Sequence, residues 1–341
     1  MAALRAFFLI LPVSVITVGW FRVAEAQPRP IGVCYGRLGD NLPSPAEVIG
    51  MYKQYNIGKI RLYKPDADAL NALRGSGIEV SVGTLNADLV NLATGIGPAQ
   101  EWVDANLKPY YPEVNIRYVV AGNEVVPGEL SGYVAQAIAN LQSVLLNYNM
   151  NILVTTVVAF YVLGASYPPS AGAFSDSAKA DMVSILQVLS HVQAPLIINP
   201  YPYYTYVANP GNVRLDYALF TAPGPVETDG VLQYQNLLDA MVDAFYSAME
   251  REGFGNLGVI LGETGWPNAG GNGEITTPLI AQVYNQNLVQ KILSGTGTPK
   301  RPNSPLDTYI FAMFNENQKP DGIEQHWGLF NPDKSPVYPL F

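Results

Sequence analysis

Two glutamates stand where apolar stretches of the sequence open into loops. Glu263 follows the apolar run 258–261 and precedes the turn-forming sequence Thr264-Gly265-Trp266-Pro267. Glu124 follows the apolar run 118–121 and has the amide Asn123 beside it. A carboxylate at the end of a buried strand is poorly explained by structure alone, and two of them suggest a cooperating pair.

Two carboxyl groups can together cleave a glycosidic bond. One protonates the departing oxygen, and the other attacks or stabilises the oxocarbenium-like carbon. In a closed barrel of parallel strands the strand ends meet at one mouth, so Glu124 and Glu263 can face each other although they are far apart in sequence. The alternative is that both are unrelated surface glutamates. This would readily explain one carboxylate at a strand end, but it explains two of them less easily.

The elements that would position this pair are strand-like stretches that alternate with amphipathic ones. We predict eight strands, at residues 31–35, 59–63, 79–83, 116–122, 152–158, 196–199, 258–262 and 308–314. Several are continuous apolar runs, as expected for parallel strands that are covered on both faces. Helices are predicted at 45–55, 98–107, 130–146, 181–189, 233–250 and 279–293. The alternation predicts an α/β fold, a single-domain (β/α)₈ TIM barrel.

Two longer segments interrupt this alternation, at residues 159–176 and 201–230. Both are rich in Pro, Gly and Tyr, and we predict that they are elaborated loops at the catalytic mouth. A doubly wound open sheet is the alternative fold. Its phosphate-binding pattern is missing, because the glycine-rich loop 270–273 lacks the GxGxxG spacing and the Lys-Ser/Thr pair.

The first residues have the three parts of a secretory signal peptide. Arg5 is followed by the mostly apolar stretch 6–18 and then by the small-x-small sequence 24–26 before Gln27. A membrane anchor is the alternative, but the stretch is shorter than the about 20 apolar residues that a spanning helix needs. We therefore predict a signal peptide at 1–26, a single domain at 27–341, and secretion.

The composition of the chain limits the classes of molecule that it is expected to bind. The formal net charge is −9, which disfavours nucleic acid and anionic membranes but is compatible with a neutral polysaccharide. The single cysteine, Cys34, excludes an intramolecular disulfide and is better explained as a buried small residue than as a nucleophile. We expect a monomer that contacts neither nucleic acid nor membrane.

Metal and cofactor sites are not expected. His191 and His326 are too few and have no ligand spacing for zinc. Asp66 and Asp68 could contact a cation, but acidic residues at a helix N-terminus explain them better.

Six motifs along the chain, taken in this order, closely resemble plant β-1,3-glucanases of glycoside hydrolase family 17. The resemblance covers nearly all of the predicted domain. The motifs are Ile31-Gly32-Val33-Cys34-Tyr35-Gly36, Arg61-Leu62-Tyr63, Gly122-Asn123-Glu124, residues 166–174 (SYPPSAGAF), Glu263-Thr264-Gly265-Trp266-Pro267 and residues 314–319 (FNENQK).

The resemblance implies that residues 27–341 form a single glycoside hydrolase domain, a retaining endo-hydrolase of 1,3-β-linked glucan. It also implies secretion to the apoplast or cell wall. Carried over by position, Glu124 is the acid/base, Glu263 is the nucleophile, and Asn123 holds the sugar 2-hydroxyl. It also implies further substrate-binding or supporting residues, with the three charged ones acting through electrostatics. These are Tyr63, Asn199, Tyr201, Tyr203, Phe314, Glu316, Lys319 and Glu324. Tyr204 and Tyr206, in the same loop as Tyr201, fit a sugar cleft and simple packing equally well.

The retaining mechanism sets two expectations for the pair. The two carboxyl groups should lie about 5 to 5.5 Å apart. We also expect the pKa of Glu124 to be raised by Glu263 and by desolvation, with Glu263 ionised.

Departures from the family pattern leave substrate preference open. Lys64 and the segment 159–161 stand where relatives often carry acidic residues, and Gly262 stands where a serine is expected, which we expect to loosen local hydrogen bonding. A β-glucan transglycosylase, a 1,3;1,4-β-glucanase and a noncatalytic β-glucan-binding protein are the alternatives. Defence against fungal walls and turnover of the plant's own callose are equally compatible with the sequence.

Overall fold

The computed structural model describes residues 31–341, and the predicted signal peptide lies outside this range. Eight strands close into a barrel in which each strand pairs in parallel with its neighbours in sequence order, and the last pairs with the first. The strands are β1 Gly32–Tyr35, β2 Lys59–Leu62, β3 Glu79–Gly83, β4 Asn115–Asn123, β5 Leu153–Ala159, β6 Leu196–Asn199, β7 Val259–Thr264 and β8 Asp307–Ile310. The predicted (β/α)₈ barrel is therefore confirmed.

Helices surround the barrel. They are α1 Pro45–Gln54, α2 Ala67–Leu73, α3 Leu89–Ala93, α4 Ile96–Asn106, α5 Ser131–Asn147, α6 Asp176–Val192, α7 Pro202–Ala208, α8 Leu215–Ala218, α9 Leu237–Arg251 and α10 Pro278–Leu293. The six predicted helices are confirmed with shifted ends. The four that were not predicted, α2, α3, α7 and α8, span two turns or fewer, too short for an amphipathic pattern to appear.

Local capping residues fix where helices begin. Ser44 and Glu47 form a capping box at the start of α1, and Thr277 accepts a hydrogen bond from the Ile280 amide at the start of α10. Asp66 caps α2 by accepting a hydrogen bond from the Ala69 amide. The interpretation of Asp66 as a helix N-terminal acid is confirmed.

Cys34 lies inside the barrel wall and is fully buried. Its thiol donates a hydrogen bond to the Gly262 carbonyl at 3.3 Å, and burial raises its pKa to about 12. A thiol that stays protonated at neutral pH is a poor nucleophile. The structural interpretation of Cys34 is therefore confirmed.

The last strand ends earlier than predicted. The β8 ladder stops at Ile310, and the following residues turn to other partners. The Phe311 amide donates to the Thr264 carbonyl, and the Ala312 amide donates to the Trp327 carbonyl. Residues 311–314 thus join the mouth to the C-terminal loop.

The first predicted mouth loop contains a small antiparallel ribbon, and a second ribbon begins in the other loop and runs past its predicted end at residue 230. Ribbon 1 pairs Leu163–Ala165 with Ala173–Phe174, and ribbon 2 pairs Glu227–Asp229 with Leu232–Tyr234. The second loop also carries α7 and α8. No helix within residues 31–341 is long and apolar enough to cross a membrane.

Asp243 on α9 gives the folded chain a pH dependence of its own. It is fully buried, its Oδ2 accepts a hydrogen bond from the Lys300 amide at 2.9 Å, and burial raises its pKa to about 6. The folded state therefore binds this proton more tightly than the unfolded state. The contribution of the protonated Asp243 to the free energy of unfolding is complete at low pH. It is lost as the pH rises from about 4 through about 6.

We expect Asp243→Asn to be more stable than the wild type at pH 7 by about 1–3 kcal/mol, with the difference vanishing near pH 4. Urea unfolding at both pH values measures this. Asp68→Asn, at an exposed position, is the control and should change stability by less than about 0.5 kcal/mol. If Asp243→Asn gained less stability over the wild type at pH 7 than at pH 4, the raised pKa of Asp243 would be contradicted.

Candidate active site

Glu124 and Glu263 line one cavity of about 620 Å³ at the mouth of the barrel. Glu124 directly follows β4, and Glu263 lies near the end of β7. Because the carboxyl ends of parallel strands meet at this mouth, barrel closure brings the two side chains to the same cavity. The structure therefore brings together the pair that the strand ends predicted.

The backbone of Glu124 has an unusual conformation. Its φ is 55°, in the left-handed region that residues other than glycine rarely adopt. Its amide donates to the Val157 carbonyl at 2.9 Å, and its carbonyl accepts a hydrogen bond from the Tyr161 hydroxyl at 2.8 Å. These bonds hold a turn that aims the side chain into the cavity. Such backbone outliers are common at functional sites.

The Glu124 side chain is half-buried and accepts a hydrogen bond from Asn199 Nδ2 at 2.6 Å. Its pKa is raised, first by burial and then by the negative charge of Glu263. The Asn199 hydrogen bond and the Arg61 charge oppose this shift without cancelling it. The predicted direction is confirmed, with burial as the larger cause. A carboxyl group in this environment is suited to hold a proton.

Glu263 has the opposite environment. It is buried, and its Oε1 lies 2.9 Å from Arg61 Nη1 and accepts a hydrogen bond from the Tyr63 hydroxyl at 2.9 Å. Its Oε2 accepts a hydrogen bond from the Tyr201 hydroxyl at 2.7 Å. A cation and two hydroxyl donors stabilise the charged form of a carboxyl group. The two glutamates thus differ in what surrounds them.

Arg61 is the residue that sequence reasoning missed. Besides Glu263, its buried guanidinium donates to Asn123 Oδ1 at 2.6 Å and to the Gly262 carbonyl at 2.8 Å, and it lies 3.5 Å from Asn199 Oδ1. One side chain therefore ties β2 to β4, β6 and β7. A basic residue inside an apolar strand run, two positions before Tyr63 and so on the same strand face, was the available signal.

The absence of a side chain at Gly262 leaves room for Arg61. A Cβ atom at this residue would lie 2.5 Å from Ile197 Cγ2 and 3.0 Å from Arg61 Nη1. Glycine leaves the room in which Arg61 reaches the Gly262 carbonyl. The Gly262 carbonyl accepts hydrogen bonds from Arg61 and from the Cys34 thiol, and looser hydrogen bonding through the missing serine hydroxyl stays a prediction.

A second cavity, of about 660 Å³, adjoins the first, and both are lined by Glu263 and Phe311. We call the second cavity the Asn123 half of the cleft, since Asn123 lines it and Glu124 does not. The first cavity is the Glu124 half. Tyr63 and Lys64 also line the Asn123 half. The two halves form one cleft across the mouth, with Glu263 at their junction.

The predicted charged residues divide between the two halves. Glu316 and Lys319 line the Asn123 half, with Lys319 Nζ 3.2 Å from Glu316 Oε2 and 4.3 Å from the centroid of the Phe311 ring. Glu324 lines the Glu124 half and accepts a hydrogen bond from the Tyr204 hydroxyl at 2.8 Å.

Two predicted substrate contacts need correction. Tyr203 is buried, with its ring packed against Trp266 and Trp327, and it lines neither half of the cleft. Phe314 is also buried, and packs against Phe330. Both rings support the walls of the cleft from behind. Tyr204, by contrast, is exposed and lines the Glu124 half.

Arg61 provides a test of how the site is held together. We expect Arg61→Lys to lower kcat by about 10–100-fold with a smaller change in KM, since lysine keeps the charge but cannot bond Glu263 and Asn123 together in the planar geometry of a guanidinium. Arg61→Met should lower kcat further, because the Glu263 carboxylate then also loses its buried cation.

The kcat and KM values of both Arg61 variants on a soluble glucan measure these effects. Arg74→Lys, at a half-buried position that lines neither half of the cleft, is the matched control. A positioning role would be contradicted if Arg61→Lys kept the wild-type kcat, or if its KM rose by as large a factor as its kcat fell.

Comparison with known proteins adds to this geometry. Residues 31–340 match the family described as glycosyl hydrolases family 17. The chain is 48% identical over 313 residues to "Probable glucan endo-1,3-beta-glucosidase BG4" of Arabidopsis thaliana, covering 91% of this chain and 90% of that protein. Two solved structures are also similar. CJP38, "a beta-1,3-glucanase and allergen of Cryptomeria japonica pollen", has a TM-score of 0.88 and 47% identity, covering 91% of this chain and 98% of that one. One of "two plant beta-glucan endohydrolases with distinct substrate specificities" has a TM-score of 0.87 and 45% identity, covering 91% and 99%.

Proposed function

The chain belongs to glycosyl hydrolase family 17, and we propose that it is an endo-hydrolase that cleaves internal 1,3-β-D-glucosidic linkages of β-glucans with retention of configuration. The observation that carries this proposal is the contrast between the two glutamates of one cleft. Burial raises the pKa of Glu124, whereas Glu263 is ion-paired with Arg61. Retaining hydrolysis needs one carboxyl group protonated and one ionised at the start.

In the first step Glu124 donates its proton to the glycosidic oxygen while the Glu263 carboxylate attacks the anomeric carbon. The bond between that carbon and the oxygen breaks, and its electron pair leaves with the departing sugar as a hydroxyl group. Glu263 is then joined covalently to the glycosyl unit, and Glu124 is a carboxylate.

In the second step Glu124 takes a proton from water as the water oxygen attacks the same carbon. The bond to Glu263 breaks, Glu263 regains its charge, and Glu124 regains its proton. Two inversions give net retention. In this proposal Asn123, which shares the Arg61 guanidinium with Glu263, contacts the 2-hydroxyl of the reacting sugar. We expect the carboxyl groups to lie about 5 to 5.5 Å apart in the working enzyme.

The cleft gives the substrate a direction. Asn123 lines only one half of the cleft and Glu124 only the other, with Glu263 at the junction. The sugar that is attacked therefore lies on the Asn123 side, near Tyr63, Glu316 and Lys319. The leaving group lies on the Glu124 side, near Asn199 and Tyr201.

The test is hydrolysis of a linear 1,3-β-glucan followed by proton NMR, with a mixed 1,3;1,4-β-glucan assayed in parallel. We expect new reducing ends with the β configuration before mutarotation, and faster release from the 1,3-linked polymer. An α product would overturn the retaining assignment. Binding without release of reducing ends would support the noncatalytic alternative, and products longer than the substrate would support a transglycosylase.

Secretion and a monomeric state are part of the proposal. Residues 1–26 would be removed on export, so the secreted protein should begin at Gln27. Mass spectrometry of the exported protein checks this position, and light scattering checks the mass of one chain.

A further inference from the structure

The charged side chains that line the cleft differ between its two halves. Three cationic and three anionic side chains line the Asn123 half, namely Arg37, Lys64, Lys319, Asp66, Glu263 and Glu316. The lining of the Glu124 half has no lysine or arginine among residues 31–341, and its acidic residues are Glu124, Glu263 and Glu324. Cationic side chains therefore line only one end of the cleft.

Ion pairs cancel most of the charge in the Asn123 half. The pairs are Arg37–Asp66, Lys319–Glu316 and Arg61–Glu263. Lys64 is exposed, and it forms no ion pair within the part of the chain that the structure describes. A cation that no carboxylate of the protein neutralises keeps its electrostatic attraction for a charged group of the substrate.

The Glu124 half has the opposite excess of charge. Glu324 is half-buried, accepts the hydrogen bond of the Tyr204 hydroxyl at 2.8 Å, and forms no ion pair with any of residues 31–341. Glu124 holds a proton at the start of the proposed reaction and so adds no charge. Lys64 and Glu324 are therefore the uncompensated charges of the two halves. An anionic group on the substrate would be attracted at one end of the cleft and repelled at the other.

We propose that Lys64 determines where acidic groups on a 1,3-β-glucan are accepted, by favouring them on the side of the sugar that is attacked. The substrate class is a 1,3-β-glucan that carries carboxylate substituents. The inference rests on the proposed function, because that function places the attacked sugar in the Asn123 half. The net charge of −9 repels such a polymer as a whole, but this repulsion acts alike on all of its bonds and does not select among them.

The experiment compares two sparsely substituted linear 1,3-β-glucans, one carboxymethylated and the other carbamoylmethylated. The two substituents are nearly equal in size, and only the first is charged. Hydrolysis in ¹⁸O-labelled water marks the attacked sugar, which becomes the new reducing end. Mass spectrometry of the products then shows on which side of each cleaved bond a substituent lay. For the wild type we expect carboxymethyl groups to be enriched near new reducing ends, relative to new non-reducing ends, by about three- to tenfold over carbamoylmethyl groups.

Variants of Lys64 identify the charge that is responsible. Lys64→Gln should lower this enrichment by about two- to fivefold, which is the effect of one exposed charge pair. Lys64→Arg keeps the charge and should keep the enrichment. Sodium chloride at about 0.5 M should lower the wild-type enrichment, because salt screens exposed charges. Lys53→Gln is the matched control and should change nothing, since Lys53 is also exposed but lines neither half of the cleft.

Two results would overturn the inference. One is a wild-type enzyme that leaves carboxymethyl and carbamoylmethyl groups equally distributed between the two kinds of new end. The other is a Lys64→Gln variant with the wild-type enrichment. Neither result concerns the cleavage of unsubstituted 1,3-β-glucan. A wild-type enzyme that cleaves no unsubstituted 1,3-β-glucan would instead refute the proposed function, so the two failures are distinguishable.

Discussion

Glu263→Ala is expected to lose glucan hydrolysis almost completely, with kcat lowered by on the order of 10⁴-fold or more. The physical reason is that no other described carboxylate is held at the junction of the two cleft halves. Without it the glycosyl unit has no covalent partner, and the oxocarbenium-like transition state loses the facing negative charge. Reducing-end release from 1,3-β-glucan measures the loss.

Chemical rescue separates loss of the nucleophile from loss of the fold. Azide supplied with an aryl β-glycoside should restore turnover of Glu263→Ala and give the α-glycosyl azide, because azide attacks from the face that Glu263 occupies and displaces the aryl alcohol. Removing this carboxylate also leaves Arg61 without its buried ion-pair partner, which we expect to cost about 3–5 kcal/mol of unfolding free energy. Unfolding must therefore be measured beside activity. A folded Glu263→Ala protein with wild-type turnover would refute the assignment of Glu263 as the nucleophile.

Glu124→Gln is the second large effect. We expect it to lower the rate on glucan by about 10²–10⁴-fold, since proton donation to a poor leaving group is lost. With a substrate that has an activated aryl leaving group, the rate of glycosyl-enzyme formation should fall less. Such an aryl alcohol departs with little help from a proton donor. Azide should then accelerate the second step and give the β-glycosyl azide, opposite in configuration to the product of the Glu263 variant.

The pH dependence of the same variant identifies the proton. The pKa of Glu124 is raised, so the wild-type enzyme keeps its general acid protonated to a higher pH than an ordinary glutamate would. Activity should fall as pH rises through this raised pKa, which forms the basic limb of the pH–rate profile. Glu124→Gln should lack that limb. Glu129 is an exposed glutamate in the loop that follows, and Glu129→Gln should keep both the wild-type rate and the basic limb. If the basic limb persisted in Glu124→Gln, it would have to arise from another group.

The fold was readable from the sequence because its strands are covered on both faces. Continuous apolar runs separated by amphipathic stretches predict parallel strands and helices in alternation, and eight repeats predict closure. The end of β8 was the exception. Residues 311–314 remain apolar, but their hydrogen bonds go to β1, to β7 and to the C-terminal loop, which a pattern along one strand does not reveal.

The aromatic residues show where pattern reasoning stops. Tyr201, Tyr203 and Tyr204 are neighbours in sequence, yet Tyr201 bonds Glu263, Tyr203 packs behind the wall, and Tyr204 faces the cleft. The direction of each ring depends on Trp327 and Trp266, which come from distant segments. Composition predicted an aromatic cleft without indicating which rings a sugar could touch.

The sequence by itself determined the barrel and the positions of Glu124 and Glu263, because strand periodicity and strand ends are local properties of the chain. Only the tertiary structure decided that Arg61 joins Glu263 to Asn123 and that Gly262 makes room for it. These features depend on distances between side chains from different strands and loops. Barrel closure and packing set these distances, and they cannot be calculated from the periodicity or the composition of the sequence.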